Sequence, residues 1–144
     1  MKIEIKKLRE GAQLPTRGSA FAAGYDLRAC IDAPIAIAPG ETKMVGTGLS
    51  VAVPAGYFGA VFARSGLASK QGLRPANCVG VCDSDYRGEY TVALHNDSAV
   101  TCEVQNGDRI AQLVVIPCLD LDFEQVDELS ATERGTGGFG STGR

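Results

Sequence analysis

Short runs of β-forming residues, separated by glycine and proline turns, constrain the fold of this chain more than any other feature. Breakers such as Pro39-Gly40 and Asn106-Gly107 end one run before the next begins. Strands are predicted at residues 3–6, 25–29, 35–37, 42–45, 49–53, 57–62, 90–94, 99–104 and 109–116. Helix-period stretches are almost absent apart from Ser65–Gln71, where Ser65 is the expected N-cap. The pattern predicts an all-β sandwich or barrel with one short helix.

The charge balance and the cysteines limit what such a domain can do. The sequence has 14 Lys and Arg residues against 17 Asp and Glu residues, so we expect no direct nucleic-acid binding through a basic face. No apolar run approaches the roughly 18 residues that span a bilayer, and the charged start is not a secretory signal, so we expect no membrane association. Five cysteines without a paired framework indicate free, buried thiols in a cytoplasmic protein. A zinc site at Cys78 and Cys82 is disfavoured, because His95 is the sole histidine in the sequence.

The apolar pattern ends near residue 130. Residues 1–130 are predicted to form the β-domain, and residues 131–144 a flexible C-terminal arm that burial cannot order. Glycines in the arm expose backbone N–H groups, and serine and threonine hydroxyls add donors, as in loops that cradle phosphates. Arg134 would add a positive charge, and Phe139 would stack on a base. The alternative is a frayed tail without a ligand.

Three polar segments stand where the sequence otherwise predicts core strands or a capped helix. Arg64 precedes Ser65 and Gly66 at the helix start, so a guanidinium, a hydroxyl and free N–H groups would meet an anion at one point. Asp26 and Gln112 stand among apolar strand residues, where a buried carboxylate or amide must find a partner. The ordinary alternatives are a surface arginine and salt-bridged structural residues.

The segment from residue 77 to residue 89 carries another acid and an aromatic ring. Residues 83–88 are predicted to form a hairpin turn between two strands, and a turn alone accounts for the polar residues in it. As a functional segment it offers the Asp83 carboxylate to orient a water molecule and the Tyr86 ring to pack on a sugar.

Taken in order, these segments resemble the five signature motifs of the trimeric deoxyuridine triphosphate nucleotidohydrolases, the dUTPases. The matching residues are 23–29, 63–68, 80–89, 107–115 and 134–143, so the resemblance covers essentially the whole chain. It implies a jelly-roll-like β-barrel and a homotrimer whose active sites are shared between subunits. It also implies Mg²⁺-dependent hydrolysis of dUTP to dUMP and pyrophosphate by in-line attack of water on the α-phosphorus. That activity limits uracil incorporation into DNA and supplies dUMP for dTMP synthesis.

The resemblance assigns roles residue by residue. Asp83 matches the catalytic acid that holds and activates the attacking water, and Asp26 matches a carboxylate that orders magnesium through water. The substrate-binding positions are Arg64, Ser65, Gly66, Asn77, Gly80, Val81, Cys82, Tyr86, Gln112, Arg134, Phe139, Gly140, Ser141 and Thr142. By the same resemblance, residues 77–82 read uracil, Tyr86 packs on the deoxyribose and Phe139 closes over the base. Cys82 departs from the family pattern, which has an aliphatic residue there, and we expect slightly looser packing.

Three other functions fit parts of the pattern. A dCTP deaminase would share the fold, but it would have a different catalytic constellation and no glycine-rich closing arm. A nucleotide-sensing regulator without catalysis would not need Asp83, Tyr86 and the whole arm. The remaining alternative is an all-β structural protein in which the motifs coincide by chance.

Overall fold

The computed structural model describes residues 2–140 and contains strands throughout, with one short helix in that range. The elements are β1 (Glu4–Lys7), β2 (Thr16–Arg17), β3 (Tyr25–Arg28), β4 (Ile35–Ile37), β5 (Thr42–Gly46), β6 (Leu49–Ala52), β7 (Tyr57–Phe62), α1 (Ser65–Gln71), β8 (Leu73–Pro75), β9 (Val79–Cys82), β10 (Thr91–Asn96), β11 (Cys102–Val104) and β12 (Arg109–Pro117). After β12, residues 118–140 contain no further strand or helix. No helix within residues 2–140 is long and apolar enough to cross a membrane.

The strands form four antiparallel sheets. The five-stranded sheet has the order β2-β3-β12-β7-β9, and the three-stranded sheet has the order β5-β10-β8. Two-stranded sheets join β1 to β6 and β11 to β4. Neighbours in these sheets are mostly distant in the sequence, as β12 and β3 are, so the chain crosses repeatedly between sheets. The predicted jelly-roll-like, all-β fold with one short helix is confirmed.

One hydrophobic core lies between the sheets, because side chains on each strand alternate between the inside and the outside. In β10, Val92 and Leu94 are buried, whereas Ala93 and His95, which follow them, are partly exposed. Leu27 of β3, Ile37 of β4 and Leu49 of β6 are fully buried in the same cluster. Each such side chain contributes roughly 1.5–3 kcal/mol through removal of its apolar surface from water.

Most predicted strands are confirmed to within a few residues, and three short strands were missed. The missed strands are β2, β8 and β9, which have two to four residues each. Pro75 in β8 and Gly80 in β9 are residues that weaken a strand pattern, so the sequence there gives little signal. The five cysteines are free, as predicted, but the prediction that they are buried is wrong for Cys78 and Cys118, which are exposed on a turn and after β12.

The start of helix α1 differs from the prediction at one residue. The helix spans Ser65–Gln71 as predicted, but the N-cap is Arg64, with extended backbone angles and no side-chain capping bond. Ser65 is therefore the first helical residue and not the cap. At the other end, Gly72 adopts φ 69° and its N–H bonds to the Ala68 carbonyl, which is a common helix termination.

The predicted hairpin turn at residues 83–88 is wrong. This segment follows β9, which pairs with β7, and precedes β10, which pairs with β5 and β8. The segment is therefore a crossover between two sheets. Two strands around a polar segment give the same sequence pattern whether they pair as a hairpin or join different sheets. The sequence therefore cannot distinguish a hairpin from a crossover here.

Asn96 is a fully buried polar side chain at the end of β10. Its amide nitrogen donates to the carbonyls of Ile37 and Val100, each at 2.8 Å. Its Oδ1 accepts from the Ser98 N–H at 2.9 Å and from the Ser98 hydroxyl at 2.7 Å. One side chain thereby joins β4, β10 and the loop that leads to β11.

We predict that Asn96→Ala lowers the free energy of unfolding by about 2–4 kcal/mol, because buried carbonyl and N–H groups lose their partners. Urea denaturation at fixed protein concentration measures the change. Asn106→Ala is the matched control, since Asn106 is exposed and accepts a hydrogen bond from the Ile31 N–H at 3.1 Å. The control should lose less than about half as much, and equal losses would contradict the prediction.

Candidate active site

A tight turn connects β8 to β9 and presents the first group of predicted site residues. The Cys78 N–H donates to the Pro75 carbonyl at 3.1 Å, and the Val79 N–H donates to the Asn77 carbonyl at 2.6 Å. Cys78 takes a left-handed conformation with φ 62° to complete the turn. Strand β9 follows this turn. Among residues 2–140 it is the outer strand of the five-stranded sheet, so the N–H and C=O groups along one of its edges are free to pair with a ligand.

A cavity of about 460 Å³ lies against this turn and strand. It brings together six predicted site residues, which are Asn77, Gly80, Val81, Cys82, Asp83 and Tyr86. Met44, Glu89 and Tyr90 also line it, and the sequence did not single these out. The volume falls within the range of about 300–1,000 Å³ that is usual for small-molecule sites.

Asp83 stands exposed where β9 ends. Its carbonyl accepts a hydrogen bond from the Tyr86 N–H at 3.2 Å, which closes the first turn of the crossover. Arg87 supports this turn by donating to the Ser84 carbonyl at 2.7 Å. Within residues 2–140, no side chain donates to the Asp83 carboxylate, so its oxygens can accept from a water molecule.

Cys82 packs beside the buried ring of Tyr90. Burial raises the pKa of the Cys82 thiol, and the nearby Tyr90 hydroxyl offsets this only in part. Burial also raises the pKa of the Tyr90 hydroxyl, which has no hydrogen-bond partner within the described residues and faces the weakly polar thiol. Both groups are therefore neutral near pH 7, and Cys82 acts as a small hydrophobic residue behind Asp83.

A second cluster of predicted residues forms where β3, β12 and the end of β7 meet. Asp26 lies opposite Gln112 in the β3–β12 pairing. The Arg64 Nε donates to Asp26 Oδ1 at 2.8 Å, and the Arg109 Nη1 donates to Asp26 Oδ2 at 3.2 Å. The Asp26 side chain is only 13% exposed, so this carboxylate needs both cationic partners.

The same cluster contains the start of helix α1. The Gln112 amide donates to the Ala63 carbonyl at 2.8 Å, which holds the residue before Arg64 against β12. Ser65 and Gly66 are exposed, and a Cβ on Gly66 would meet nothing within 4 Å. The first turn of α1 therefore has open space beside a basic residue.

The two clusters are not in contact within one chain, and strand β7 explains why. Cys82, next to Asp83, lies opposite Gly59, whereas Gln112 lies opposite Phe62. Those two positions on β7 are about 10 Å apart at 3.3 Å per residue. A smaller cavity lined by Arg64 and Arg109 accordingly shares no lining residue with the one beside Asp83.

The C-terminal arm lies apart from both clusters. Arg134 Nε donates to the Gly137 carbonyl at 2.8 Å, which closes a local turn. Phe139 is fully exposed with φ 49°, and Gly140 is exposed beside it. The predicted positions Ser141 and Thr142 lie outside the described residues. Neither Arg134 nor Phe139 lines the two cavities described above.

The sequence did not single out Arg109, nor did it single out Glu89 and Tyr90, which line the cavity together with Tyr86. Arg109 belongs to a segment that was singled out for Gln112, so its proximity to Asp26 had a signal. Within residues 2–140, no group of three or more His, Cys, Asp or Glu side chains is placed to hold a metal ion.

Comparison with known proteins agrees over the full length of the chain. The family model described as dUTPase matches residues 10–143. A deoxyuridine 5'-triphosphate nucleotidohydrolase from Leptothrix cholodnii is 47% identical, covering 99% of this chain and 97% of the relative. A Staphylococcus bacteriophage 80alpha dUTPase with dUPNHPP is 29% identical with TM-score 0.91, covering 99% of both chains. A mutant dUTPase from phage phi11 of S. aureus, solved for the coordination of a structural Mg(II) ion, is 25% identical with TM-score 0.82, covering 91% of this chain and all of that one. The chain belongs to the dUTPase family.

Proposed function

We propose that this protein is a dUTP diphosphatase, which hydrolyses dUTP to dUMP and pyrophosphate. The observation that carries the proposal is the free carboxylate of Asp83 at the rim of a nucleoside-sized cavity, beside the open edge of β9. Relatives along the whole chain are named for this activity, and the phage enzyme was solved with dUPNHPP, a dUTP analogue. The activity limits uracil incorporation into DNA and supplies dUMP for dTMP synthesis.

Asp83 is the proposed general base. A water held by its carboxylate would attack the α-phosphorus in line with the departing pyrophosphate, and the carboxylate would accept the water's proton. The exposed position of Asp83 and its unoccupied oxygens support this role. The sequence has one histidine, His95, which lies in β10 bonded to Thr42. A serine–histidine nucleophile is therefore not part of the proposal.

The uracil ring is the part of the substrate that the β8–β9 turn would recognise. Uracil presents acceptor, donor and acceptor groups along its pairing edge, and cytosine reverses two of these. The turn at Cys78 and the pairing of residues 79–82 with β7 fix this backbone, so it offers one pattern of donors and acceptors. A mismatched base leaves buried polar groups unpaired, which can discriminate by roughly 10⁴. Tyr86 would pack on the deoxyribose and leave no room for a 2′-hydroxyl.

The second cluster would hold the phosphates. Arg64, with Ser65, Gly66 and Gln112, supplies a guanidinium, exposed N–H groups and an amide around open space. Asp26 is a single carboxylate with both oxygens bonded to arginines, so it suits a contact through water with an Mg²⁺ ion that the triphosphate carries. Bound magnesium would neutralise charge on the phosphate oxygens.

A homotrimer would complete the site, because one chain holds its two halves about 10 Å apart along β7. In a closed ring, the Asp83 cavity of one subunit would face the Arg64 cluster of the next. Residues 131–144 would act as the closing arm, with Arg134 on phosphate and Phe139 over the base. The eleven residues from 134 to 144 can extend roughly 36 Å, which is enough to reach a neighbouring subunit. Five free cysteines suit the cytoplasm as the compartment.

The proposed function predicts the outcome of a substrate panel. With dUTP, dCTP, dTTP and UTP in the presence of Mg²⁺, dUTP should be hydrolysed with a kcat/KM at least about 10³-fold above the others. Excess EDTA should reduce dUTP turnover at least about 100-fold, because the charge on the phosphates is no longer compensated. Pyrophosphate and ammonia release are measured in parallel. Ammonia from dCTP would instead identify a deaminase.

Asp83→Asn should reduce kcat for dUTP by at least about 10³-fold, because the amide cannot accept the water's proton. The affinity for dUPNHPP should stay within about threefold of the wild-type value, since the amide has nearly the same size. Pre-steady-state hydrolysis and calorimetric titration measure the two quantities. Asp85→Asn is the matched control from the same crossover and should leave kcat nearly unchanged. Unaltered turnover in Asp83→Asn would remove Asp83 from the mechanism.

Mixing two inactive variants tests whether sites are shared. Asp83→Asn and Arg64→Ala subunits, unfolded together and refolded at equal amounts, should regain about one quarter of wild-type kcat, since about three quarters of random trimers are mixed and each has one intact site of three. Neither variant refolded alone should recover activity. No recovery in the mixture would place Asp83 and Arg64 in one chain's site and contradict the shared arrangement.

The same mixing experiment tests which subunit contributes the C-terminal arm to a site. Chains truncated after Ser130 should be inactive alone and should regain activity when mixed with Asp83→Asn chains, if the arm and Asp83 of a site come from different subunits. Mixing truncated chains with Arg64→Ala chains tests in the same way whether the arm and the Arg64 side chain of one site come from different subunits. A truncated chain with full activity would contradict the closing role of residues 131–144.

A further inference from the structure

The chain that follows the catalytic crossover is fastened to the segment between β5 and β6. The Tyr90 N–H donates to the Leu49 carbonyl at 2.8 Å. The Thr47 hydroxyl donates to the Tyr90 carbonyl at 2.6 Å, and the Ser50 hydroxyl donates to the Arg87 carbonyl at 2.8 Å. Residues 87–90 are thereby held at several points against residues 47–50.

Glu89 adds a charged attachment to these backbone contacts. Its Oε1 accepts from the Gly48 N–H at 2.6 Å and pairs with the guanidinium of Arg9. The Arg9 and Glu89 side chains are both partly shielded from water. The hydrogen bond that Arg9 donates to Glu89 raises the pKa of the Arg9 guanidinium above its ordinary value, so Arg9 stays charged. Charged pairs that also satisfy a backbone N–H are stronger than exposed pairs.

Tyr86 depends on the backbone that Glu89 holds. The Tyr86 hydroxyl donates to the Glu89 carbonyl at 3.0 Å. Its ring lies over Gly88, where a Cβ would fall 2.8 Å from the ring carbon Cε2. The ring is therefore placed by the backbone of residues 88 and 89. Movement of that backbone moves the ring within the cavity that Asp83 and Tyr86 line.

We propose that Arg9 and Glu89 form a latch that positions Tyr86 and sets the discrimination between deoxyribonucleotides and ribonucleotides. The inference rests on the proposed function, in which the Tyr86 ring packs on the sugar. With the latch closed, the ring leaves no space for a 2′-hydroxyl. With the latch open, residues 88 and 89 relax and a ribose fits. Arg9 and Glu89 are positioning residues, since their charged groups face each other and Gly48.

Gly46 supplies a separate argument for the latch. A Cβ on Gly46 would fall 2.5 Å from Glu89 Oε1, which is closer than any real contact of that kind. Gly46 has no positive φ, so alanine fits its backbone and the conflict is with the latch alone. Gly46→Ala should therefore push Glu89 and Arg9 apart without altering either residue.

The test compares kcat/KM for dUTP with kcat/KM for UTP in the assembled protein. Glu89→Ala should lower the dUTP/UTP ratio at least about tenfold, chiefly through faster UTP hydrolysis, and Arg9→Ala and Gly46→Ala should lower it less. Glu89→Gln keeps an acceptor for the Gly48 N–H, so its ratio should stay within about threefold of the wild-type value. A parallel loss for both nucleotides, with the ratio unchanged, would overturn the proposal.

Glu41→Ala is the matched control. Glu41 also accepts a backbone N–H, from Ala38 at 3.0 Å, and pairs with Lys43 at 2.6 Å, but it lines neither cavity beside the proposed site. Its removal should leave the ratio unchanged even where Tm falls. A ratio that drops equally in Glu41→Ala would reduce the effect to general destabilisation and overturn the latch. If Glu89→Ala does not fold, Arg9→Ala and Gly46→Ala decide the question, because they retain the Glu89 acceptor.

A second readout separates the latch from the proposed function. Calorimetric Kd values for dUMP and UMP need no turnover, and their ratio should shift towards UMP in the same variants. A wild-type protein that releases no pyrophosphate from dUTP contradicts the proposed function alone. The latch is then supported if the Kd ratio shifts in Glu89→Ala and refuted if it does not.

Discussion

The pairing of β7 on both of its edges is the constraint on which the rest of the site depends. One edge of Tyr57–Phe62 pairs with β12, which carries Gln112, and the other pairs with β9, which leads to Asp83. Residues 59–61 of β7 are buried in succession, so both faces of the strand are covered there, and a slip of one residue would move each of these residues to the opposite face. The core residues Ala60 and Val61 make such a slip costly. The register of one strand therefore fixes the position of both the edge of β9 and the Asp26–Arg64 cluster.

The carboxylates of the site are distinguished by whether the chain itself occupies them. Asp26 is held by Arg64 and Arg109, and Glu89 by Arg9 and the Gly48 N–H. Asp83 has no such side-chain partner in the described part of the chain. A general base needs free lone pairs to receive a proton, whereas a structural carboxylate needs donors that compensate its burial. The geometry thus separates one carboxylate that is free to act as the proposed base from two that arginines hold in place.

Much of the architecture could be predicted from the sequence, because strong local signals coincide with the elements concerned. Strands β4 and β7 and helix α1 have the predicted bounds, since each is a clear apolar run or helical pattern between breakers. The missed strands β8 and β9 are stabilised by pairing with partners far along the chain, and local pattern carries no record of such partners. The error at residues 83–88 has the same origin. Which sheet a strand joins is a long-range property.

The site residues show the same division. Asp83, Tyr86 and Asn77 lie close together in the sequence, so their shared cavity could be predicted from a single segment. Arg9 and Glu89 are eighty residues apart, and although Glu89 ends the motif at residues 80–89, nothing in that motif points to Arg9. Their pairing depends on Gly46 and Gly48, whose lack of side chains matters only after β5 and β6 are in place. Long-range polar pairs of this kind are invisible to motif analysis.

The separation of the two half-sites also constrains the assembly. A contact that joined the Asp83 side of one chain to the Arg64 side of another would be isologous if a twofold axis repeated it, and otherwise heterologous; a heterologous contact either closes into a ring or continues as a filament. In a closed ring every site would be complete, because each subunit would contribute its Asp83 cavity to a site shared with one neighbour and its arginine cluster to a site shared with the other. In a dimer with twofold symmetry both contacts would form across one interface, so the Asp83 cavity and the Arg64 cluster would have to lie on the same face of the chain. Gly59 lies in the middle of β7 and Phe62 at its end, so the two clusters are about 10 Å apart along the strand, and the proposed ring is the arrangement in which each cluster would meet a different neighbour.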